Sequence, residues 1–124
     1  MTDCDALIIG GGPAGLTAAI YLARFHLTTI VVDGGHSRAA TIPRTRNHAG
    51  YPGGIPGPDL VAAMRTQASE YGARVIDDWL TGLDHDGEAF VARGAGGAAP
   101  VPCCSRPGSS TTGRRWIGAC TTPR

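Results

Sequence analysis

The hydrophobic pattern of the first 33 residues predicts a strand, a turn, a helix and a second strand. Ala6–Ile9 is a continuous apolar run, which is typical of a strand buried on both faces of a parallel sheet. A glycine-rich stretch follows, and residues 28–32 are then rich in β-branched side chains and end at Asp33. Between these two runs, apolar residues recur at helical spacing up to about Phe25, at Leu16, Ala19, Ile20 and Ala23. The pattern therefore predicts a βαβ unit.

The pattern after this unit predicts one more helix and three more strands. The elements expected there are a loop at residues 34–58, a helix from near Pro58 to Gly72, a strand at residues 74–79, and two hairpin strands at residues 80–84 and 88–92 joined by Asp86-Gly87. The loop is longer than a structural connection requires, which favours a functional or a disordered segment. The predicted fold class is α/β: a Rossmann-like domain with a parallel sheet and a small β-hairpin.

Both the periodicity and the composition change after Ala92. All 10 acidic residues and six of the 11 arginines lie before that point, whereas residues 93–124 contain five arginines and no Asp or Glu. The tail shows no apolar face of either period. We therefore expect a domain at residues 1–92 and a disordered tail at residues 93–124.

Charge and cysteine content exclude several classes of function. The basic excess lies in a tail with one aromatic residue, so nucleic acid is not expected as a partner. No signal sequence or membrane span is present, and the default expectation is a cytoplasmic protein. The four cysteines form neither a C-x-x-C pair nor a metal-ligand pattern, so no catalytic residue and no metal site are expected.

The glycine turn has the residues that a pyrophosphate site requires. Gly10 permits a tight turn out of the strand, Gly12 allows the phosphates to approach the backbone, and Gly15 allows the helix to pack on the sheet. The N-terminus of the helix then presents unpaired N–H groups and a positive dipole end to the anion. Together these features predict a dinucleotide site.

Asp33 narrows the choice of dinucleotide. It follows Gly10 by 23 positions, close to the spacing at which a carboxylate accepts hydrogen bonds from the hydroxyls of the adenosine ribose. A carboxylate would repel the 2′-phosphate of NADP, and no arginine follows immediately to neutralise it. FAD and NAD remain as alternatives.

Two stretches resemble the thioredoxin reductase-like flavoproteins, within the pyridine nucleotide–disulfide oxidoreductases. They are DALIIGGGPAGLTAAIYLAR at residues 5–24 and the more specific RNHAGYPGGIPGPDL at residues 46–60. The resemblance covers about residues 5–92 and implies FAD, with Asn47 near the isoalloxazine ring and the backbone of Val75 at the adenine. A loop asparagine that forms an Asx turn is the alternative interpretation of Asn47. The expected cofactor-binding residues are Gly10, Gly11, Gly12, Pro13, Ala14, Gly15, Asp33, Gly34, Asn47 and Val75.

The sequence also departs from that family. Its members are longer and carry a second glycine fingerprint for NADPH, often a C-x-x-C pair, and a C-terminal segment that completes the FAD site. None of these three features occurs in this sequence. The expectation is a truncated chain that binds FAD and is inactive alone. In the complete family, hydride passes from NADPH to FAD and electrons pass to a disulfide or another small acceptor, and the proteins tend to be dimers.

The tail suggests how such a truncation could arise. With suitable codons at residues 102–112, a reading frame shifted by one base yields Leu-Leu-Leu-Ala-Thr-Gly from the position of Cys103 onward, and this resembles a strand that the family carries. We hypothesise that the tail is frameshifted. The alternatives to a truncated oxidoreductase are a stand-alone FAD or nucleotide-binding module and an NAD-binding fragment of a dehydrogenase.

Overall fold

A computed structural model describes residues 4–85, 89–96 and 101–104. The elements in chain order are β1 (Ala6–Ile9), α1 (Pro13–Arg24), β2 (Thr29–Asp33), a short 3-10 helix (Arg38–Thr41), α2 (Gly57–Glu70), β3 (Arg74–Asp77), β4 (Leu80–His85), β5 (Ala89–Gly94) and β6 (Val101–Cys104). Within the described ranges, no helix is long and apolar enough to cross a membrane.

The first three strands form a parallel sheet in the order β1-β2-β3. Val31, in the middle of β2, pairs with Ile8 on one side and with Val75 on the other. All five residues of β2 are buried, because the central strand is covered on both faces. This arrangement confirms the predicted parallel sheet and βαβ unit.

The two faces of the parallel sheet support separate apolar clusters. On one face, Ile8 and Val31 pack against α1 and α2, whose buried residues are Leu16, Ala19, Ile20, Ala23, Leu60, Met64 and Ala68. On the other face, Leu7, Ile30 and Val32 pack with Ala92 of β5. Because side chains alternate along a strand, neighbouring residues of β1 and β2 enter opposite clusters.

The last three strands form an antiparallel sheet in the order β4-β5-β6. The predicted hairpin is confirmed, since β4 and β5 pair antiparallel with Asp84 opposite Val91. The joining turn at Asp86-Gly87 lies outside the described residues.

The prediction of disorder from residue 93 is wrong for two short stretches. β5 continues to Gly94, and β6 pairs with it so that Ala92 faces Val101. This pairing uses backbone hydrogen bonds with a partner strand, which an isolated stretch of sequence does not reveal. Residues 97–100 and 105–124 of the predicted tail lie outside the described residues.

A short link joins the two sheets at the end of β3. The strand ends at Asp77, two residues before the predicted end at Trp79. The N–H of Asp78 donates to the carbonyl of Asp33 (3.2 Å), and its carboxylate accepts from the N–H of Gly96 (3.0 Å). Asp78 therefore joins the end of β2 to the turn that follows β5.

Candidate functional site

The glycine turn lies at the carboxyl end of β1 and leads directly into α1. Gly10 has a φ of 104°, in the region that favours glycine, and its N–H donates to the carbonyl of Val32 (2.8 Å). A Cβ on Gly15 would overlap the carbonyl oxygen of Gly10 and lie 3.2 Å from Ile8. The predicted roles of Gly10 in the turn and of Gly15 in close packing therefore agree with the geometry.

Among the residues that the structure describes, no side chain caps the N-terminus of α1. Its N-cap is Gly12, which makes no side-chain capping bond, and the first turn of the helix contains no acidic residue. A Cβ on Gly12 would meet only Ser37, at 3.5 Å. Pro13 is half-buried and Ala14 is exposed. The first N–H groups of the helix are thus left for an anion, with open backbone beside them.

Gly11 has a role that the glycine spacing alone did not indicate. It is buried, and a Cβ there would overlap the carboxylate of Asp33. The absence of a side chain at Gly11 allows the end of β2 to lie directly against the turn after β1. The glycine turn at the start of α1 and the carboxylate of Asp33 are consequently adjacent.

The Asp33 carboxylate is held in a defined orientation. Its side chain is 8% exposed, its Oδ1 accepts from the N–H of Gly35 (3.0 Å), and its Oδ2 lies 3.4 Å from Nη1 of Arg65. Arg65 also pairs with Asp77 at the end of β3. Each carboxylate oxygen can accept a further hydrogen bond, so capacity for ribose hydroxyls remains.

Arg65 is the site residue that the sequence analysis missed. No arginine directly follows Asp33 in the sequence, but α2 brings Arg65 to its carboxylate from 32 positions further along the chain. Neither local spacing nor periodicity indicates that contact, because it depends on how α2 packs over the sheet. The charge of Asp33 is therefore partly balanced.

Asn47 lies within the long loop between β2 and α2. Backbone bonds between Thr45 and Ile55 (2.8 and 2.9 Å) close this loop, and the Thr45 hydroxyl donates to Oδ1 of Asn47 (2.6 Å). Asn47, His48 and Pro13 line one cleft of about 170 Å³. The structure thus brings Asn47 to the start of α1.

The remaining predicted residues, Gly34 and Val75, lie near β2. Gly34 follows Asp33 and is covered by the indole ring of Trp79, which a Cβ on Gly34 would overlap. Val75 is half-buried inside the sheet and packs against the helical cluster. Its backbone is in register with that of Val31 in β2.

Fold and site together define a Rossmann-like α/β protein. A parallel sheet, a glycine turn into an uncapped helix, and a carboxylate at the end of the next strand are the features of that class. Comparison with known proteins then identifies the family: residues 4–82 match the profile of the pyridine nucleotide-disulphide oxidoreductases. The chain belongs to this family.

The most similar relatives include several thioredoxin reductases. That of Peptoclostridium acidaminophilum is 41% identical over 93 residues, which cover 73% of this chain and 29% of the relative. That of Chlamydia trachomatis is 38% identical over 98 residues, covering 75% of this chain and 31% of the relative. The chain therefore spans about a third of the length of the relatives that it matches.

Solved structures agree with this assignment. A thioredoxin reductase from Gloeobacter violaceus superposes with a TM-score of 0.76 at 33% identity, over 82% of this chain and 32% of that one. A thioredoxin reductase from Giardia duodenalis gives a TM-score of 0.78 at 30% identity, over 84% of this chain and 34% of that one. The chain is a thioredoxin reductase-like segment of the pyridine nucleotide-disulphide oxidoreductase fold.

Proposed function

We propose that this chain binds FAD and is the FAD-binding portion of an NAD(P)H-dependent oxidoreductase of thioredoxin reductase-like type. The observation that supports it most is the pairing of an uncapped α1 N-terminus with the buried carboxylate of Asp33. The helix N-terminus suits an anion and the carboxylate suits a vicinal diol. An adenine dinucleotide contains both groups close together, as its pyrophosphate and its ribose.

The three parts of the site suit three parts of one ligand. The N–H groups at the start of α1, beside Gly10–Gly15, would hold the pyrophosphate. Asp33 would accept hydrogen bonds from the ribose, with Gly34 and the backbone of Val75 at the adenine. On the other side of the pyrophosphate, the cleft at Asn47 would receive the flavin end. The cleft is smaller than the several hundred Å³ of a typical complete ligand pocket, so the described residues would leave part of the flavin exposed.

The remainder of the activity would belong to a longer protein. FAD supplies a hydride acceptor that passes electrons onward, and this chain's residues would bind and orient it. Hydride delivery from NADPH, reduction of a disulfide or another small acceptor, and dimer formation are proposed for the complete protein in the cytoplasm. We propose that the present chain alone has no oxidoreductase turnover.

A matched pair of aspartates tests the FAD proposal. In the full 124-residue chain, Asp33→Asn removes the charge that we assign to ribose binding, whereas Asp84→Asn removes an exposed carboxylate that pairs with Arg93 in the antiparallel sheet. We expect Asp33→Asn to weaken FAD binding by about tenfold or more, since hydrogen bonds to charged groups contribute about 1.5–3 kcal/mol. Asp84→Asn should leave binding unchanged.

The measurement is titration of the refolded chain with FAD, followed by flavin fluorescence and calorimetry. NAD and NADP are titrated in parallel, and consumption of NADPH is monitored in the FAD-loaded sample. Preferential binding of NAD would replace the proposal with the dehydrogenase-fragment alternative. FAD binding that is insensitive to Asp33→Asn would contradict the assigned site. Turnover of NADPH by this chain would refute the proposal that it is inactive.

A separate proposal concerns the domain limits. We propose that residues 1–92 are the FAD-binding domain and that the reading frame shifts within the tail. The strand residues at 93–94 and 101–104 extend the folded part beyond residue 92. Sequencing the coding DNA from the codon of Phe90 onward tests this. A shifted frame that encodes Leu-Leu-Leu-Ala-Thr-Gly and remains open into a second glycine fingerprint would support it. A gene without that frame would reject it.

A further inference from the structure

Trp79 is an exposed aromatic residue on a firmly held backbone. Its side chain is 55% exposed, although it follows directly after the buried sheet. Its N–H donates to the carboxylate of Asp78 (2.7 Å), and its carbonyl accepts from the N–H of Ala95 (2.7 Å). Both bonds are made by the backbone of Trp79, so they fix the point from which its indole extends.

The indole lies beside the carboxylate that we assign to ribose binding. Its six-membered ring covers Gly34, the residue that follows Asp33, so closely that a Cβ on Gly34 would overlap it. The ring of His36 meets it edge-on, with centroids 5.8 Å apart and an interplanar angle of 71°. Asp33 and Asp77 are in register at the ends of β2 and β3, which places both aromatic residues at one edge of the sheet.

We infer that Trp79 supplies the surface on which the adenine base of the ligand stacks. This inference rests on the proposed function, since it takes the Asp33 carboxylate as the ribose partner. The base is joined to the ribose by a single bond, so a ribose held at Asp33 leaves the base within reach of Gly34 and its indole cover. Aromatic side chains stack on any nucleobase, and loss of such a contact typically weakens binding by about tenfold.

The alternative role for Trp79 is to cover Gly34 and contribute only to stability. Ligand pairs separate the two roles, because adenosine monophosphate and ribose 5-phosphate differ only in the base. The chain has two tryptophans, at positions 79 and 116, and Trp116→Phe leaves Trp79 as the single tryptophan, whose emission can be excited apart from that of the tyrosines. Trp79→Ala removes the stacking surface, Trp79→Phe retains an aromatic ring, and Phe25→Ala removes a 74% exposed ring outside the site.

In the Trp116→Phe chain, we expect adenosine monophosphate to quench Trp79 fluorescence and ribose 5-phosphate to leave it unchanged. Trp79→Ala should weaken FAD binding about tenfold, Trp79→Phe by no more than about threefold, and Phe25→Ala not at all. If Trp79→Ala does not fold, the fluorescence titration and the Trp79→Phe variant still decide between the roles.

Two results separate failure of this inference from failure of the proposed function. FAD binding that depends on Asp33 but is unchanged by Trp79→Ala, without quenching by adenosine monophosphate, would overturn the stacking role and leave the FAD proposal in place. An unsubstituted chain that folds and binds no FAD would overturn both.

Discussion

The parallel and antiparallel sheets of this protein differ in how they are stabilised. Every residue of β2 is buried between two apolar clusters, whereas no residue of β4 is fully buried. The parallel sheet is covered on one face by α1 and α2. The antiparallel sheet contributes little more than Ala92 and Leu80 to the opposite cluster.

The predicted ligand-binding residues follow the same division. The glycine turn, Asp33 and Asn47 all lie in the parallel sheet or its connections, where close packing holds the backbone. Beside the antiparallel sheet, Ala95 directly after β5 holds the backbone of Trp79 through a hydrogen bond. The buried parallel sheet and its connections thus contain the predicted binding residues, and the more exposed antiparallel sheet contains none of them.

The largest expected effect is on the free energy of unfolding, and it is tested by comparing two leucines. Leu16 is 0% exposed in the helical cluster, and Leu83 is 42% exposed in β4. We expect Leu16→Ala to lower the free energy of unfolding by about 2–5 kcal/mol, because a buried side chain leaves a cavity. Leu83→Ala should change it by about 0.5 kcal/mol or less. Urea denaturation followed by circular dichroism measures both, and equal losses would show that the two sheets are similarly packed.

A smaller effect on stability is expected from a comparison of two glycines. A Cβ on Gly15 would overlap the Gly10 carbonyl, whereas one on Gly82 of β4 would lie 3.6 Å from the Arg93 side chain, an ordinary contact. Gly15→Ala should cost about 1–3 kcal/mol of stability through overpacking. Gly82→Ala should stay within about 0.5 kcal/mol. Thermal unfolding is the measurement, and an unchanged midpoint for Gly15→Ala would show that the turn has room to shift.

The smallest effect concerns two threonine hydroxyls. The hydroxyl of Thr45 donates to Asn47 (2.6 Å), and that of Thr81 donates to the Arg93 carbonyl (3.3 Å) in the antiparallel sheet. Thr45→Val should weaken FAD binding a fewfold, since one neutral hydrogen bond contributes about 0.5–1.5 kcal/mol. Thr81→Val should not affect it. Equal FAD dissociation constants for parent and Thr45→Val would remove support for orientation of Asn47 by Thr45.

The predictability of the site also differs from residue to residue. The spacing to Gly10 predicts Asp33 as a ligand-binding residue, because that spacing is set by one helix of a βαβ unit. The sequence does not predict Arg65, since its contact with Asp33 depends on the packing of α2 over the sheet. Gly11 was included as part of the glycine run, but its contact with Asp33 became visible only when β1 and β2 were paired.

The same reasoning explains the error in the tail. Strands in the parallel sheet were predicted because burial on two faces requires continuous apolar runs, as in Ala6–Ile9. The pairing of β6 with β5 is made by backbone groups, which nearly all residues carry whatever their side chains. A short strand that is defined by backbone pairing therefore leaves a weaker pattern in the sequence than a strand buried on both faces.

By itself, the sequence determined the βαβ unit, the glycine turn, the position of Asp33 and the resemblance to the thioredoxin reductase-like flavoproteins. These depend on interactions between residues close along the chain and on burial that imposes a pattern. Only the tertiary structure decided that Arg65 balances Asp33, that Asn47 shares a cleft with Pro13, and that Trp79 covers Gly34. Those contacts join distant segments, and their geometry depends on how helices and sheets pack together.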